Sequence, residues 1–262
     1  MSVQGYWADL PSRAFAALPD DAVAVLPLGA TEQHGPHLPL SVDRDLIDAV
    51  TAEMLGHLAA AQSVLVLPTL AVTKSNEHRD FPGTLALGPK TLLAVLRDIA
   101  GSVARGGVRR LVLFNGHGGN TALLQVAARE MRIDHGLIVA SCGWFGFAET
   151  AGLFDPAEYA RDVHAGDAET SAMLAVRPER VDMNRAGDFR TAMEEWERDY
   201  RWIGLGGPAV PAWTVADLNA EGACGNAAAA TAEKGRVLID SAGRNFAAFL
   251  AEFARFDPGV RM

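Results

Sequence analysis

The sequence predicts an α/β fold built on a mainly parallel β-sheet, with helices covering both faces of the sheet. Short apolar runs alternate with amphipathic helical stretches, and the runs are apolar almost throughout, which is typical of strands buried on both sides. The chain has 262 residues and 49% hydrophobic content, enough for one large core. We therefore expect a single domain over residues 1–262.

Four apolar runs are predicted to form the strands, namely AVAVLPLG (22–29), SVLVLPTLAV (63–72), RRLVLFNG (109–116) and LIVASCGW (137–144). Helices are predicted between successive strands, in DLIDAVTAEMLGHLAA, PKTLLAVLRDIAGSVARGG and NTALLQVAAREMRI, and a last helix is predicted at about 227–254. The second helix starts with Pro89 and stops at Gly106 and Gly107, which suit those positions. Parallel strands end at one edge of a sheet, so functional groups are expected in the loops that follow them.

The composition argues against several kinds of partner. The formal net charge is −9 and RGGVRR (105–110) is the only dense basic patch, so neither nucleic acid nor an anionic membrane is expected. The start MSVQGYWADLPSRAF has no secretory pattern, and no run of about 18 apolar residues occurs, which predicts a soluble cytoplasmic protein. Cys142 and Cys224 form no CxxC pair and are expected to be ordinary thiols.

The loop ATEQHGPHLPLSVDRD (30–45) concentrates acids and histidines directly after the first strand. Glu32 and His34 are two positions apart, so they project from the same side of an extended segment, and Asp43 stands at the start of the next helix. Carboxylate and imidazole ligands suit a divalent cation such as zinc, manganese or iron. The alternative is structural: Asp43 then caps the helix and Glu32 is a solvated loop acid.

Three further loops carry the same residue types. FNGHGGNTALL presents His117 among glycines, which suits either a metal ligand or a phosphate cradle. DVHAGDAETSAMLAV holds His164 and Glu169; acids in a first helical turn complement the helix dipole, but this does not explain His164. NEHRDFPGTLAL holds His78 beside a tight turn, as a substrate contact or as a surface histidine. Together the four loops favour a metal site.

Four blocks of the sequence resemble, in the same order, the signature blocks of the creatininase family, the metal-dependent hydrolases related to creatinine amidohydrolase. They are EQHGPHLPLSVD, NEHRDFPGTLAL, FNGHGGN and HAGDAETSAML, and the resemblance runs from about Val23 to Ala175. It implies a three-layer α/β/α fold with a mainly parallel sheet. It also implies a homo-oligomer, since members of the family are commonly hexamers.

The resemblance further implies a site for two divalent metal ions, with zinc as the first choice and manganese or iron as alternatives. Glu32 and His34 would each hold one ion and Asp43 would bridge the two. His117 would complete the side held by Glu32. In creatininase itself a glutamate stands two positions after this histidine, where this chain has Gly119.

Glu169 is the expected replacement for that acid, both as a metal ligand and as a catalytic residue beside His164. His164 matches the catalytic histidine of the family, and Asp167 is a candidate to hold its tautomer. Gly118 stands where creatininase has a tyrosine, so the substrate site is expected to be more open. Trp144 is expected either in a wall of this site or in the core.

The function implied is hydrolysis of a carbon–nitrogen bond in a small amide, cyclic amide or formamide by a metal-activated water. Relatives with the NGHGGN form include a formamide-cleaving enzyme and a peptidase of the mycofactocin precursor, so a peptidase acting on a small modified peptide is the alternative. Two other classes stay open: a sugar- or nucleotide-binding protein that holds a phosphate on FNGHGGN, and a degenerate relative kept for assembly. The Trp-bearing segment 196–213 is expected to be a lid or an oligomer contact.

Overall fold

The structure is a computed structural model that describes residues 2–259. Its main sheet has five strands, all parallel, in the order β1-β3-β2-β4-β5. They are β1 (Gln4–Tyr6), β2 (Val23–Leu28), β3 (Val64–Val66), β4 (Arg110–Asn115) and β5 (Ile138–Gly143). A separate antiparallel pair consists of β6 (Asp188–Phe189) and β7 (Gly225–Asn226). The predicted α/β class with a mainly parallel sheet is confirmed.

Helices follow most of the strands of the main sheet. They are α1 (Val42–His57), α2 (Pro89–Arg105), α3 (Thr121–His135), α4 (Pro156–Tyr159), α5 (Asp167–Val176), α6 (Met193–Asp199), α7 (Val215–Leu218) and α8 (Ala232–Phe253). α8 begins later than the sequence predicts, because residues 227–229 form a 3₁₀ turn and the side chain of Thr231 caps the helix. In the described part of the chain, no helix has the length and apolar character needed to span a membrane.

Alternate residues of the central strands face two separate cores. Val23 of β2 belongs to a core shared with α1, α5 and α8, whereas Ala24 belongs to a core shared with α2 and α3. In the first core Phe114 of β4 stacks on Phe246 of α8, with ring centroids 3.8 Å apart. The sheet is therefore the middle of three layers, which explains why its strands read as continuous apolar runs.

Three details of the sheet differ from the sequence prediction. The sequence prediction does not include β1, because a strand of three residues carries too little periodicity to be recognised. The strand expected over 63–72 is only Val64–Val66, after which a single bridge joins Leu70 to Leu28. β5 is an edge strand and its residues are mostly half-buried rather than covered on both faces.

The Trp-bearing segment 196–213 is split between a small third core and the surface. Trp196 and Trp213 pack against the cluster of Met193 and Leu218. Trp202 is exposed, with the guanidinium of a neighbouring arginine over its ring. Its predicted role as a lid or an oligomer contact stays a prediction.

Two glycines bring the first turn of α1 onto the ends of β2 and β4. A Cβ atom at Gly29 would lie 2.7 Å from the backbone of α1, and one at Gly116 would lie 2.9 Å from Asp43 O. Side chains at these two positions would push the helix away. Leu28 and Asn115 are paired in the sheet, so the loops after β2 and β4 begin side by side. The first turn of α1 therefore places Asp43 next to both loops.

Candidate metal centre

Glu32, His34, Asp43 and His117 meet in the interior, at the carboxyl ends of β2 and β4. Each of these residues is at most 4% exposed. His34 Nε2 lies 3.4 Å from Asp43 Oδ1, and His117 Nδ1 lies 3.4 Å from Asp43 Oδ2. His117 Nδ1 also lies 3.1 Å from Glu32 Oε1. The two oxygens of Asp43 thus face two different imidazoles.

The structural alternative for this loop is wrong on both counts. Glu32 is buried, so it is not a solvated loop acid. α1 begins at Val42 and its first turn has no side-chain cap, so Asp43 does not serve as the helix cap. The other acid of this turn, Asp45, forms an ion pair with Arg180 at 3.0 Å.

Three buried atoms of the cluster have no hydrogen-bond partner among residues 2–259, namely Glu32 Oε1, His34 Nε2 and Asp43 Oδ2. An unpaired buried polar group costs on the order of 1–3 kcal/mol of stability. Ligand atoms of Glu32, Asp43 and His117 lie within 4.8 Å of one another, as do those of His34, Asp43 and Glu169. Because both groups mix carboxylate and imidazole donors, the residues fit two divalent cations that share Asp43.

Backbone carbonyls fix the tautomers of the two imidazoles. His34 Nδ1–H donates to Glu32 O at 3.0 Å, and His117 Nε2–H donates to Lys74 O at 2.9 Å. In the neutral rings the lone pairs of His34 Nε2 and His117 Nδ1 therefore point into the cluster, as metal coordination requires. Ser75 Oγ donates to Glu32 Oε2, which leaves Oε1 as the oxygen without a partner.

The crowded charges shift the pKa values of the cluster. Burial lowers the pKa of His34, but the surrounding carboxylates, chiefly Asp43, outweigh burial and raise it to about 9. Burial and the charge of Glu32 raise the pKa of Asp43 to about 7. Burial also raises the pKa of Glu32, but the neighbouring imidazoles, His117 first, outweigh it and hold that pKa well below its usual range. In the absence of a cation, protons on the imidazoles balance the carboxylates.

Glu169 reaches the cluster from the first turn of α5. Its Oε2 lies 3.8 Å from His34 Nε2 and accepts a hydrogen bond from the backbone N–H of Ala165 at 2.6 Å. Ala165 has a φ of 55°, which is uncommon for a residue with a side chain. The turn before α5 thus closes around this carboxylate, and its predicted role as the replacement for the acid missing at Gly119 stays a prediction.

His164 lies beside the cluster with Nδ1 facing it. Its Nε2–H donates to Gln33 O at 2.8 Å, and its Nδ1 lies 3.8 Å from Glu32 Oε1. Burial, together with the charges of His34 and His78, lowers the pKa of His164 well below its usual value. The ring is therefore neutral at pH 7, with an unprotonated Nδ1. Ligand atoms of Glu32, His34 and His164 also lie within 4.8 Å of one another, so this ring is close enough to be a ligand itself.

Asp167 does not hold the tautomer of His164. Its carboxylate accepts hydrogen bonds from Ser171 Oγ at 2.8 Å and from Lys234 Nζ at 2.6 Å. The backbone carbonyl of Gln33 holds His164 instead. Sequence reasoning missed this because the acceptor is a main-chain atom of a residue that is distant in the chain.

His78 is buried, and the side chain of Gln33 fixes its orientation. Gln33 Oε1 accepts the N–H of Gly35 at 2.9 Å, so Gln33 Nε2 is the atom that donates to His78 Nδ1 at 2.8 Å. In the neutral ring the proton of His78 is then on Nε2, which lies 3.4 Å from Glu32 Oε1. Burial lowers the pKa of His78 to about 4. The surface histidine considered as an alternative is therefore wrong.

The chain matches the family model Creatininase, described as creatinine amidohydrolase, over residues 8–250. This chain belongs to the creatininase family. The resemblance of the four sequence blocks is thereby confirmed, and the family supports the prediction of a hydrolase.

Relatives from the family cover most of the chain. The mycofactocin precursor peptide peptidase of Mycobacterium tuberculosis (strain ATCC 25618 / H37Rv) is 32% identical over 256 residues, which are 93% of this chain and 92% of that protein. The creatinine amidohydrolase of Pseudomonas putida is 35% identical over 204 residues, which are 71% of this chain and 75% of that protein. A solved Zn–Zn form of a creatininase variant has a TM-score of 0.73 and 29% identity, and the match covers 97% of this chain and 100% of that one. The three-layer fold expected from the resemblance to the creatininase family is confirmed.

A cavity of about 260 Å³ opens beside the cluster, and its lining includes His117, Gly118, Trp144, Tyr159 and Glu169. A Cβ atom at Gly118 would meet nothing within 4 Å, so the cavity is open directly beside this position. Trp144 is buried in the core, stacks on Phe145 and also lines this cavity, while its role in a wall of the substrate site stays a prediction. In the described structure His78 lies on the side of Gln33 and outside this lining, so its substrate contact stays a prediction.

Proposed function

We propose that this chain is a metal-dependent hydrolase that cleaves a carbon–nitrogen bond in a small amide, cyclic amide, formamide or short modified peptide. The observation that carries the proposal is the set of three buried, unpaired atoms on Glu32, His34 and Asp43. These atoms belong to residues whose ligand atoms lie close together, and divalent cations would give each of them a partner. Without a cation, a cluster of this kind lowers the stability of the folded protein, because it buries several carboxylates away from water.

The residues divide into two sets of ligands. Glu32, Asp43 and His117 would hold one ion, and His34, Asp43 and Glu169 would hold the other. Zinc is the first choice, because a solved family member is a Zn–Zn form, and manganese or iron are the alternatives. Such ions supply Lewis acidity to the substrate carbonyl and to the attacking water.

His164 would move the proton that the reaction requires. Its neutral ring presents Nδ1 without a proton, so this nitrogen can accept a proton from the attacking water and then give it to the leaving nitrogen. The hydrogen bond from Nε2–H to Gln33 O would hold the ring in place between the two transfers. Glu169 would assist as a second acid of the site, with its carboxylate 3.8 Å from His34 Nε2.

The size of the cavity favours a small substrate. A volume of about 260 Å³ is slightly below the range of roughly 300–1,000 Å³ that drug-sized ligands occupy. It accommodates a small amide or one end of a short peptide rather than an extended chain. The peptide alternative is favoured by the 32% identity to a mycofactocin precursor peptide peptidase over 93% of this chain.

A phosphate-binding protein is the rival from a different class. It would require the FNGHGGN loop to offer His117 to a phosphate, whereas His117 Nδ1 faces Glu32 and Asp43. It also assigns no partner to the three unpaired atoms. Tight binding of a sugar phosphate or nucleotide by metal-free protein would favour this rival.

The test is metal content per chain by elemental mass spectrometry, on protein purified without chelator and beside the Asp43→Ala variant. The proposal expects about two equivalents of divalent metal in the wild type and a loss of both in the variant. One equivalent would mean that Glu169 does not complete a second site. No bound metal, even after metal is added back, would overturn the proposal.

A screen of cyclic amides, formamides and short peptides on the loaded enzyme would then identify the substrate. The small-molecule partner, the homo-oligomer, hexameric by resemblance, and the cytoplasmic location stay predictions. Sedimentation of the purified protein tests the second of these directly.

A further inference from the structure

Glu77 occupies the space that a side chain at Gly119 would take. A Cβ atom at Gly119 would overlap Glu77 Oε1 and would lie 2.5 Å from His117 Nε2. Position 119 is therefore restricted to glycine for as long as Glu77 keeps its place. The absence of a side chain at Gly119, where the sequence departs from creatininase, therefore leaves the room that the Glu77 carboxylate occupies.

Glu77 is not a free loop acid. It belongs to a 3₁₀ turn, Asn76–His78, and its side chain is only 9% exposed. Lys74 Nζ donates to Glu77 Oε2, and Glu77 Oε1 lies 3.3 Å from His117 Nε2. The carboxylate is therefore held between an ammonium group and an imidazole.

The ring of His117 connects this pair to the candidate metal centre. One side of the ring, at Nε2, faces Lys74 O and Glu77 Oε1. The other side, at Nδ1, faces Glu32 and Asp43. In metal sites, a carboxylate on the outer nitrogen of a ligating imidazole fixes the tautomer and orientation of the ring and makes it a better donor.

We propose that Glu77 is a positioning residue of this centre, which supports the hydrogen bond from His117 Nε2–H to Lys74 O with a carboxylate 3.3 Å from the same nitrogen, so that Nδ1 is directed at Glu32 and Asp43. The proposal rests on the proposed function, because it requires His117 to be a metal ligand. Glu77 acts through the imidazole and is not itself a ligand, since it lies on the Nε2 side of the ring. Two residues then compensate for the missing acid at position 119. Glu169 supplies the metal ligand, and Glu77 fills the space that a side chain at Gly119 would occupy.

The first experiment measures the dissociation constant for Zn²⁺ by chelator competition, on the full-length metal-free protein. Glu77→Gln removes the charge and keeps the size of the side chain, and it should weaken Zn²⁺ binding by about 10- to 100-fold. Asp80→Asn is the matched control, because Asp80 is an exposed acid of the same loop. Its affinity should stay within about twofold of the wild type, since the exposed carboxylate has no part in the cluster.

Two glycine variants test the competition for space. Gly119→Ala should displace both Glu77 and the ring of His117, because its Cβ atom would crowd both, and it should weaken Zn²⁺ binding at least as much as Glu77→Gln. Gly118→Ala should leave the affinity for Zn²⁺ unchanged, because a Cβ atom there meets open space. Thermal melting of each metal-free variant establishes whether it folds, so that a weak affinity is not mistaken for a loss of structure.

A nitrogen-15 spectrum of the histidines in metal-free protein reports positioning directly. The wild type should show His117 with a hydrogen-bonded Nε2–H proton whose chemical shift changes in Glu77→Gln. Unchanged Zn²⁺ affinity and an unchanged His117 signal in Glu77→Gln would overturn the role of Glu77 and leave the proposed function intact. A wild type that binds no Zn²⁺ would instead overturn the proposed function and this inference with it.

Discussion

His34 Nε2 lies 3.4 Å from Asp43 Oδ1 in the interior of the protein, without a hydrogen bond between the two groups. The other ring nitrogen of His34 already donates to Glu32 O, so the ring cannot turn to find another partner without losing that bond. A buried imidazole nitrogen and a buried carboxylate that face each other in this way are suited to share a cation once the imidazole has lost its proton.

Zinc should stabilise the folded wild type but not the Asp43→Ala variant. A ligand that binds only the folded chain raises the free energy of unfolding by about 2.7 kcal/mol at a concentration 100 times its Kd. Urea unfolding with chelator and with zinc measures this difference. Asp45→Asn is the control, because Asp45 is buried nearby but pairs with Arg180, and it should keep the zinc response. An equal response in Asp43→Ala would show that Asp43 is not a shared ligand.

Metal binding should release protons and strengthen as the pH rises. The pKa of His34 in the metal-free protein is raised to about 9, so at pH 7 a cation must displace a proton from this ring. The affinity should therefore rise with pH up to about 9, by about tenfold per pH unit for each proton released, and then level off with respect to His34. Calorimetry at pH 7 in two buffers of different ionisation enthalpy counts the protons. An affinity that is the same at about pH 6 and about pH 8 would contradict the assignment of His34.

His164→Ala should keep the bound metal and lose about 10²- to 10⁴-fold in turnover, the usual contribution of a general acid or base. Metal content and turnover are measured on the same preparation. If the metal is lost as well, His164 is a ligand, which its distance from Glu32 also allows. Asp167→Asn is the control, because the Asp167 carboxylate bonds Ser171 and Lys234 instead of His164. This variant should keep turnover within a few-fold of the wild type.

Gln33→Met should disturb the tautomer of His78 and leave that of His164 unchanged. The substitution keeps the approximate size of the side chain but removes the amide that donates to His78 Nδ1. The amide also lies 3.3 Å from His164 Nε2, but the shorter contact of that nitrogen is the 2.8 Å hydrogen bond to the main-chain carbonyl of Gln33, which the substitution does not alter. Nitrogen-15 spectra of the histidines compare the two rings within one sample. A His78 ring with the same single tautomer in the variant would show that Gln33 does not control it.

The sequence was sufficient to predict the class of fold and the kinds of ligand. The apolar runs of β2 and β4 read as strands buried on both faces, and the structure places a separate core on each side of them. Polar residues come directly after both strands, and parallel strands end at the same edge of a sheet. Glu32, His34 and His117 were therefore expected to lie close together. These predictions succeed because strand direction and side-chain period are properties of short segments of chain.

The sequence did not predict which groups hold these side chains. The His164 ring is held by a main-chain carbonyl 131 residues away, and the acid expected for that task, Asp167, bonds Lys234 instead. Glu77 and Gly119 come from different loops, and nothing in either motif shows that they compete for one space. Sequence spacing describes neighbours along a strand or a helix, whereas these contacts depend on how separate loops pack.

By itself, then, the sequence determined the parallel sheet, the family and the set of carboxylates and imidazoles at one edge of the sheet. Only the tertiary structure decided that Asp43 is buried between His34 and His117 instead of capping α1. The physical reason is burial. Whether a carboxylate is solvated, capping a helix or poised for a cation depends on which partners remain after packing excludes water, and these partners come from segments far apart in the chain.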